Sequence, residues 1–158
     1  AFVGVLILVC AAMVMCVHRK KLNMIQAAAV LTLVVFLGIV FGSTVFTRTG
    51  TIRQYELVPF WSWRDIIRYH DWTLLKENLL NCILLLPAGV LLPIIANHKI
   101  KWYQALAVGI LVSAIIEFSQ LIFMRGLFEW DDMIHNGLGC MIGCMVTHYI
   151  KNVWRKNK

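Results

Sequence analysis

Charged residues are scarce in this chain, and acidic residues are the scarcest of them. Only 15% of the 158 residues are charged, with eight acids against fifteen Lys and Arg, whereas 60% are hydrophobic. This is too apolar for a soluble globular domain, in which roughly half of the residues are apolar. The basic residues are dispersed at the ends of apolar runs, which is typical of membrane anchors and not of a nucleic-acid interface. We therefore expect an integral membrane protein with membrane lipids, and no nucleic acid, as partners.

Several functional signatures are also missing. No two of the five cysteines form a CxxC pair. Cys140 and Cys144 are one helical turn apart and could in principle bind a metal, but we interpret them as small packing residues. No metal or other cofactor is expected. The chain opens in an apolar run without a basic segment before it, so no cleavable signal is expected.

Long apolar stretches dominate the sequence. A membrane-spanning helix needs about 20 apolar residues, and its backbone must be hydrogen-bonded internally. The stretches are 2–17, 25–46, 79–96, 103–124 and 133–150. The sequence therefore predicts an all-α integral membrane protein, in which residues 1–158 form one membrane domain, a compact bundle of about five transmembrane helices.

The distribution of basic residues predicts the orientation. Three alternate connections, 18–21, 98–101 and 151–158, hold nine Lys and Arg and no acid. The opposite side holds six Lys and Arg, among them Arg48, together with seven of the eight acids. Because unbalanced positive charge marks the cytoplasmic side, we expect the N-terminus outside and the C-terminus in the cytoplasm.

The connection 47–78, between the second and third predicted helices, is rich in aromatic residues interleaved with charge. This mixture is typical of a segment that lies in the membrane interface with its apolar face towards the lipid. Pro59 is placed to open a helix at its first turn. The alternatives are an aromatic belt that only fixes depth and a segment that also holds a ligand.

Glu117 lies in the middle of an apolar run, and an acid at that depth usually faces a polar cavity and marks a functional site. Ser113, Glu117 and Gln120 are spaced to share one helix face. Glu117 is about seven residues from the outer end of its helix, which places it roughly 10 Å deep. The fourth predicted helix therefore carries a polar stripe into the outer leaflet.

Two neighbouring helices carry polar groups at the same depth. Asn78 and Asn81 lie at the outer end of the third helix, and Asp132 and Asn136 enter with the fifth. Asp131 is interpreted as the cap of the fifth helix and Asp132 as the pocket residue. His135, one turn from Asp131, is a candidate proton carrier or an interfacial residue.

Four further residues have structural interpretations, some of them beside functional ones. Arg125 closes the fourth helix and can pair with Glu117, with Asp132 or with a bound anion. Gly139 and Gly143 form a GxxxG pattern that permits close helix approach, within the bundle or in a dimer. Pro87 is expected to kink the third helix.

The ordered motifs resemble one family. They are Arg53 with Leu57-Val-Pro-Phe60, Asn81-Cys-Ile-Leu-Leu-Leu-Pro87-Ala-Gly89, Glu117-Phe-Ser-Gln120, Arg125, and Asp131-Asp132-Met-Ile-His-Asn136-Gly-Leu-Gly139. Together they are similar to the VanZ-like membrane proteins over about 48–145, which implies a VanZ-like core at about 26–150 and an extra N-terminal helix at 1–17. The chain departs from the family pattern at Glu56, Leu85 and Ala88, which leaves its ligand preference open. The resemblance implies a link to low-level resistance against teicoplanin-type glycopeptides.

Three functions remain as hypotheses. The first is an outward-facing pocket that binds an envelope lipid, a lipid-linked cell-wall precursor or a lipoglycopeptide. Its candidate ligand-binding residues are Arg53, Asn78, Asn81, Glu117, Gln120, Arg125, Asp131, Asp132 and Asn136. The second is an enzyme on an outer-leaflet lipid, with Glu117, Asp132 and Arg125 as catalytic candidates and Asp131 as the alternative to Asp132 for a nucleophile or metal ligand, although the sequence has no hydrolase signature. The third is a transporter, which the absence of an inverted repeat disfavours.

Overall fold

The computed structural model describes residues 2–47 and 52–157 and is predominantly helical. Arg48, assigned above to the outer side, lies outside the described residues. The elements in chain order are α1 (Phe2–His18), α2 (Met24–Phe41) continued by a π-helical turn (Gly42–Phe46), β1 (Gln54–Glu56), α3 (Trp61–Tyr69), α4 (Trp72–Leu84), α5 (Leu86–Ala96), α6 (Trp102–Phe123), β2 (Leu127–Glu129) and α7 (Trp130–Lys156).

Three helical stretches within the described residues are long and apolar enough to cross a membrane. They are Met24–Phe46, Trp72–Ala96 and Trp102–Phe123. The other two predicted stretches differ from these: α1 is a shorter apolar helix of 17 residues, and α7 runs for 27 residues, well beyond the predicted 133–150. Within the part of the chain that the structure describes, three spans therefore meet the length and hydropathy requirement.

The second of these spans is broken in its middle. Leu85, with φ −101° and ψ 6°, separates α4 from α5, and Pro87 stands in the first turn of α5. Proline has no backbone N–H to donate to the preceding turn, which explains why the break falls just before it. The expected kink at Pro87 is therefore present as a helix boundary. Pro59, in contrast, precedes Phe60, the residue that caps α3, and does not stand in the first turn of that helix.

Helix α7 is the centre of the bundle and packs against α4, α5 and α6. Glycines allow its backbone to approach α4 and α5 closely. A Cβ at Gly139 would lie 2.7 Å from the carbonyl carbon of Cys82, and a Cβ at Gly143 would lie 2.9 Å from the Val90 nitrogen. The GxxxG pattern thus packs α7 inside the bundle.

Helix α6 has the reverse of a water-soluble pattern. Leu111, Ile115 and Ile122 are 64%, 62% and 64% exposed, whereas Glu117 and Gln120 on another face are each only 3% exposed. In water, exposed surfaces are rich in charged and polar residues, and such groups are almost never fully buried. A lipid environment explains both faces at once.

A short parallel pairing ties the segment before α3 to the connection between α6 and α7. The register pairs Gln54 with Leu127 and Glu56 with Glu129. Helix α3 packs on α4 beside this pairing. The ends of α4, α6 and α7 that carry the polar residues are therefore held together under α3.

Candidate functional site

Glu117 is buried on α6 and bonded to the chain that follows its helix. Its carboxylate accepts a hydrogen bond from the backbone N–H of Glu129, with an N···O distance of 3.1 Å. The side chain therefore links α6 to β2 and sits where the predicted polar stripe enters the bundle.

Asp132 joins the polar residues of three helices. Its carboxylate accepts a hydrogen bond from the Asn81 amide of α4, and its backbone carbonyl lies 3.5 Å from the Ser113 hydroxyl of α6. The Ser113 oxygen in turn accepts from the Asn136 amide at 2.9 Å. The predicted convergence of α4, α6 and α7 is present, and Asp132 is at its centre.

Asp131 has a different role from the one predicted. No side chain caps the start of α7; instead, the Asp131 carboxylate caps α3 from a distance in sequence. It accepts from the backbone N–H of Phe60 at 2.6 Å, from the Ser62 N–H at 3.3 Å and from the Ser62 hydroxyl at 2.7 Å. Asn78 donates to the same hydroxyl at 3.1 Å. The Asp131 side chain therefore caps α3 and not its own helix, because its oxygens face N–H groups at the start of α3. Its place in the first turn of α7 does agree with the predicted complement to the helix dipole.

Gln120 and Arg125 reach the π-helical turn at the end of α2. The Gln120 amide donates to the Thr44 carbonyl at 3.1 Å, and the Arg125 guanidinium donates to the Phe46 carbonyl at 3.3 Å. π-Helical turns are rare and occur often at functional sites. These bonds fix the end of α2 against the same cluster.

Arg53 lies apart from the buried cluster and is exposed. It immediately precedes β1, and the register that pairs Gln54 with Leu127 sets it alongside the segment that contains Arg125 and Gly126. Two arginines are thus close in the chain trace at one edge of the site. The structure leaves the Arg53 side chain accessible to a ligand.

Sequence reasoning missed Glu129. Burial, followed by the charges of Asp132 and Asp131, raises the pKa of Glu129 to about 7 from 4.5, and the nearby Trp61 indole opposes this shift. Near neutral pH the carboxyl group is therefore present in both protonation states. A signal was available, since Glu129 stands two residues before the Asp131–Asp132 pair and between the apolar residues Phe128 and Trp130.

His135 is buried on α7 beside α3. Its Nε2 accepts a hydrogen bond from the Trp63 indole N–H at 2.8 Å, so the neutral ring carries its proton on Nδ1. That Nδ1 is buried without a hydrogen-bond partner among the described residues. The contact anchors α3 to α7 together with Asp131.

Three acceptor atoms of the cluster are also buried without a partner among the described residues. They are the amide oxygens of Gln120 and Asn136 and one carboxylate oxygen of Glu129. Buried polar atoms without partners are uncommon in folded proteins, and a bound water, ion or ligand is one explanation. Within residues 2–47 and 52–157, His, Cys, Asp and Glu do not form a group of three that could hold a metal ion.

Comparison with known proteins gives one match. No curated protein matches the chain, and no solved structure does. A family model described as VanZ/LLP1 matches residues 24–151, from the start of α2 to near the end of α7. This range covers most of the chain and leaves out only α1 and the last residues. The chain therefore belongs to the VanZ-like family.

Proposed function

We propose that this protein binds an envelope lipid, a lipid-linked cell-wall precursor or a lipoglycopeptide through its polar cluster, and that this binding underlies protection against teicoplanin-type glycopeptides. The cluster is defined by Asn81, Glu117, Gln120, Arg125, Asp132 and Asn136. In this proposal the cluster faces the outer leaflet, and the N-terminus is outside. Helices α1 and α7 complete a bundle of about five transmembrane helices.

The observation that carries the proposal is the burial of Glu117, Gln120 and Asn136 between apolar helices, with acceptor atoms left over. A purely structural network satisfies its own members, because an unpaired buried polar group costs about 1–3 kcal/mol. The Gln120 and Asn136 amide oxygens are not satisfied by the described residues. They are suited to hydroxyl or amide N–H groups of a sugar or peptide head group.

The arginines at the edge of the site suit the anionic part of such a ligand. Arg125 and the exposed Arg53 come close in the chain trace through the β1–β2 register. A guanidinium forms charge-assisted, often bidentate bonds with phosphate and carboxylate. Helix α3, with exposed Phe60, Trp63 and Ile67, would lie in the outer interface above the cluster and guide the acyl chain.

The test uses a glycopeptide-sensitive Gram-positive host. The wild type, Glu117→Gln and Asp65→Asn are compared at matched membrane abundance, with susceptibility to a lipidated and a non-lipidated glycopeptide as the readout. Asp65 is the control, since its carboxylate pairs with neighbouring Arg64 outside the cluster. We expect selective protection against the lipidated drug that Glu117→Gln loses and Asp65→Asn keeps. Equal protection by wild type and Glu117→Gln would contradict the proposal.

Glu129 favours a second function, an enzyme that acts on an outer-leaflet lipid. A general acid or base works best when its pKa is near the operating pH, and the pKa of Glu129 is about 7. Asp132 and Arg125 would then orient the substrate and stabilise charge on a phosphate. Incubation of the purified protein with defined phospholipids and a polyprenyl diphosphate separates the two functions. Turnover that Glu129→Gln abolishes would establish catalysis, whereas binding without turnover would rule it out for these substrates.

A further inference from the structure

The end of the bundle opposite the polar cluster contains a cleft of about 680 Å³. It lies between the end of α5, the connection from α5 to α6 and the last turns of α7. Its basic lining residues are His98, Lys99, His148, Lys151 and Arg155, and none of the residues that line it is acidic. Sequence reasoning treated these residues only as anchors and topology signals.

The cations of the cleft are placed by the fold. The Lys151 ammonium donates to the Pro93 carbonyl at 3.0 Å, and His148 is bonded to the Ile100 carbonyl at 3.0 Å. An ammonium has three N–H donors, so Lys151 keeps donors for a ligand. Lys99 and Arg155 have no side-chain hydrogen bond or ion pair to any described residue. The cleft therefore combines Lys151, which is held by a backbone carbonyl, with Lys99 and Arg155, which have no such bond to a described residue.

An apolar stripe leads to the cleft along α7. Ile142, Val146, Ile150 and Trp154 follow one another at four-residue intervals, and all four are exposed. Ile150 and Trp154 also line the cleft. A basic cavity at the end of an exposed apolar stripe suits a molecule with an anionic head and a hydrocarbon tail. A tryptophan at that junction is typical of the membrane interface.

We propose that this cleft binds the phosphate head group of an anionic membrane lipid, with the acyl chains along the Ile142–Trp154 stripe. The lysines and Arg155 would bind the phosphate oxygens by charge-assisted hydrogen bonds. This site is independent of the polar cluster and of its proposed function. Under the orientation expected from the basic residues, the lipid belongs to the cytoplasmic leaflet.

The test compares two pairs of charge-removing substitutions at the same end of the molecule. Lys99→Gln with Arg155→Gln removes two cations from the cleft. Arg19→Gln with Lys21→Gln removes two exposed cations from the turn between α1 and α2, which does not line it. The turn between α1 and α2 lies at the same end of the bundle as the cleft, because Gln26 at the start of α2 donates to the Ile95 carbonyl of α5 at 2.8 Å. All four side chains are exposed, so both variants are expected to fold.

The full-length protein in detergent is titrated with phosphatidylglycerol, phosphatidylcholine or inorganic phosphate, and bound lipid is counted by native mass spectrometry. We expect phosphatidylglycerol to be retained over phosphatidylcholine, and the cleft variant to weaken that retention at least about tenfold. The control pair should change it less than twofold. Equal loss in both variants, or no loss in the cleft variant, would overturn the proposal. The lipid assignment would also be overturned if inorganic phosphate binds at the same cations and phosphatidylglycerol is not preferred over phosphatidylcholine. The cleft would then be assigned to a soluble anion.

Discussion

Replacing Gly139 by alanine adds one methyl group where α7 meets the backbone of α4. The new Cβ would lie 2.7 Å from the Cys82 carbonyl carbon and closer still to its oxygen. Non-bonded carbon atoms are at their optimal separation at roughly 3.5–4.0 Å. The two helices must therefore separate locally by about 1 Å. The obstructing atoms belong to the backbone, so no side-chain rotation relieves the overlap.

The cost follows from two opposing effects. Overpacking destabilises by about 1–3 kcal/mol, and the overlap with backbone atoms at Gly139 places the cost in the upper part of that range, at about 2–3 kcal/mol. Alanine is better than glycine in a helix interior by about 1 kcal/mol. We expect a net loss of about 1–2 kcal/mol. For a domain of this size each kcal/mol lowers the melting temperature by about 2–4 °C. The separation also moves Asn81, which is next to Cys82, away from Asp132.

The assay measures the apparent melting temperature of the detergent-solubilised protein. Samples are heated to different temperatures, and the fraction that remains folded is determined by size-exclusion chromatography. The control is Gly42→Ala, since a Cβ at Gly42 meets nothing within 4 Å and the residue has ordinary helical angles of φ −59° and ψ −49°. We expect Gly139→Ala to melt about 2–8 °C lower than the wild type, and Gly42→Ala to melt at the same temperature or higher. Equal melting of Gly139→Ala and wild type would refute the close approach of α7 and α4.

Three further predictions concern the contacts around α3 and β2. Because the pKa of Glu129 is raised from 4.5 to about 7, the folded state keeps a proton that the unfolded state loses in this window, so stability should fall as pH rises through it. Glu129→Gln should remove that part of the fall between pH 5 and pH 8 in melting curves; an unchanged slope would contradict the shift. Asp131→Ala removes the charged acceptor of Ser62 and should lower the free energy of unfolding by about 1.5–3 kcal/mol. We expect faster proteolysis within α3, and an unchanged cleavage rate would contradict this prediction. Trp63→Phe removes the donor to His135 and should cost about 0.5–1.5 kcal/mol; a variant that melts like the wild type would make this bond negligible.

The helical character and the meeting of three polar stripes could be predicted from the sequence. Each rests on local spacing: Ser113, Glu117 and Gln120 share a face because of the 3.6-residue helical repeat. The apolar lengths of α2 and α6 were also sufficient, because a span needs about 20 residues. The family resemblance agreed with the match to residues 24–151.

What the sequence did not predict depends on contacts between distant segments. Asp131 caps α3 across 69 to 71 positions, and the adjacent carboxylate of Asp132 faces α4 instead. Two neighbouring acids at the start of a helix carry no local signal for that division. Glu129 was missed for the same reason, since it lies in β2, which pairs with the distant β1. The charge of the basic cleft was visible in sequence, but its enclosure between α5 and α7 was not.

The central claim is that the polar cluster around Glu117 binds a lipid-linked ligand of the cell envelope. The most direct measurement is equilibrium binding to the purified protein in nanodiscs, with a lipoglycopeptide, its deacylated form and a lipid-linked cell-wall precursor as ligands. The account predicts binding of at least one acylated ligand, with affinity reduced at least about tenfold in Glu117→Gln, or about 1.4 kcal/mol, and unchanged in Asp65→Asn. Equal affinity of wild type and Glu117→Gln for every ligand, or no binding to any of them, would contradict it.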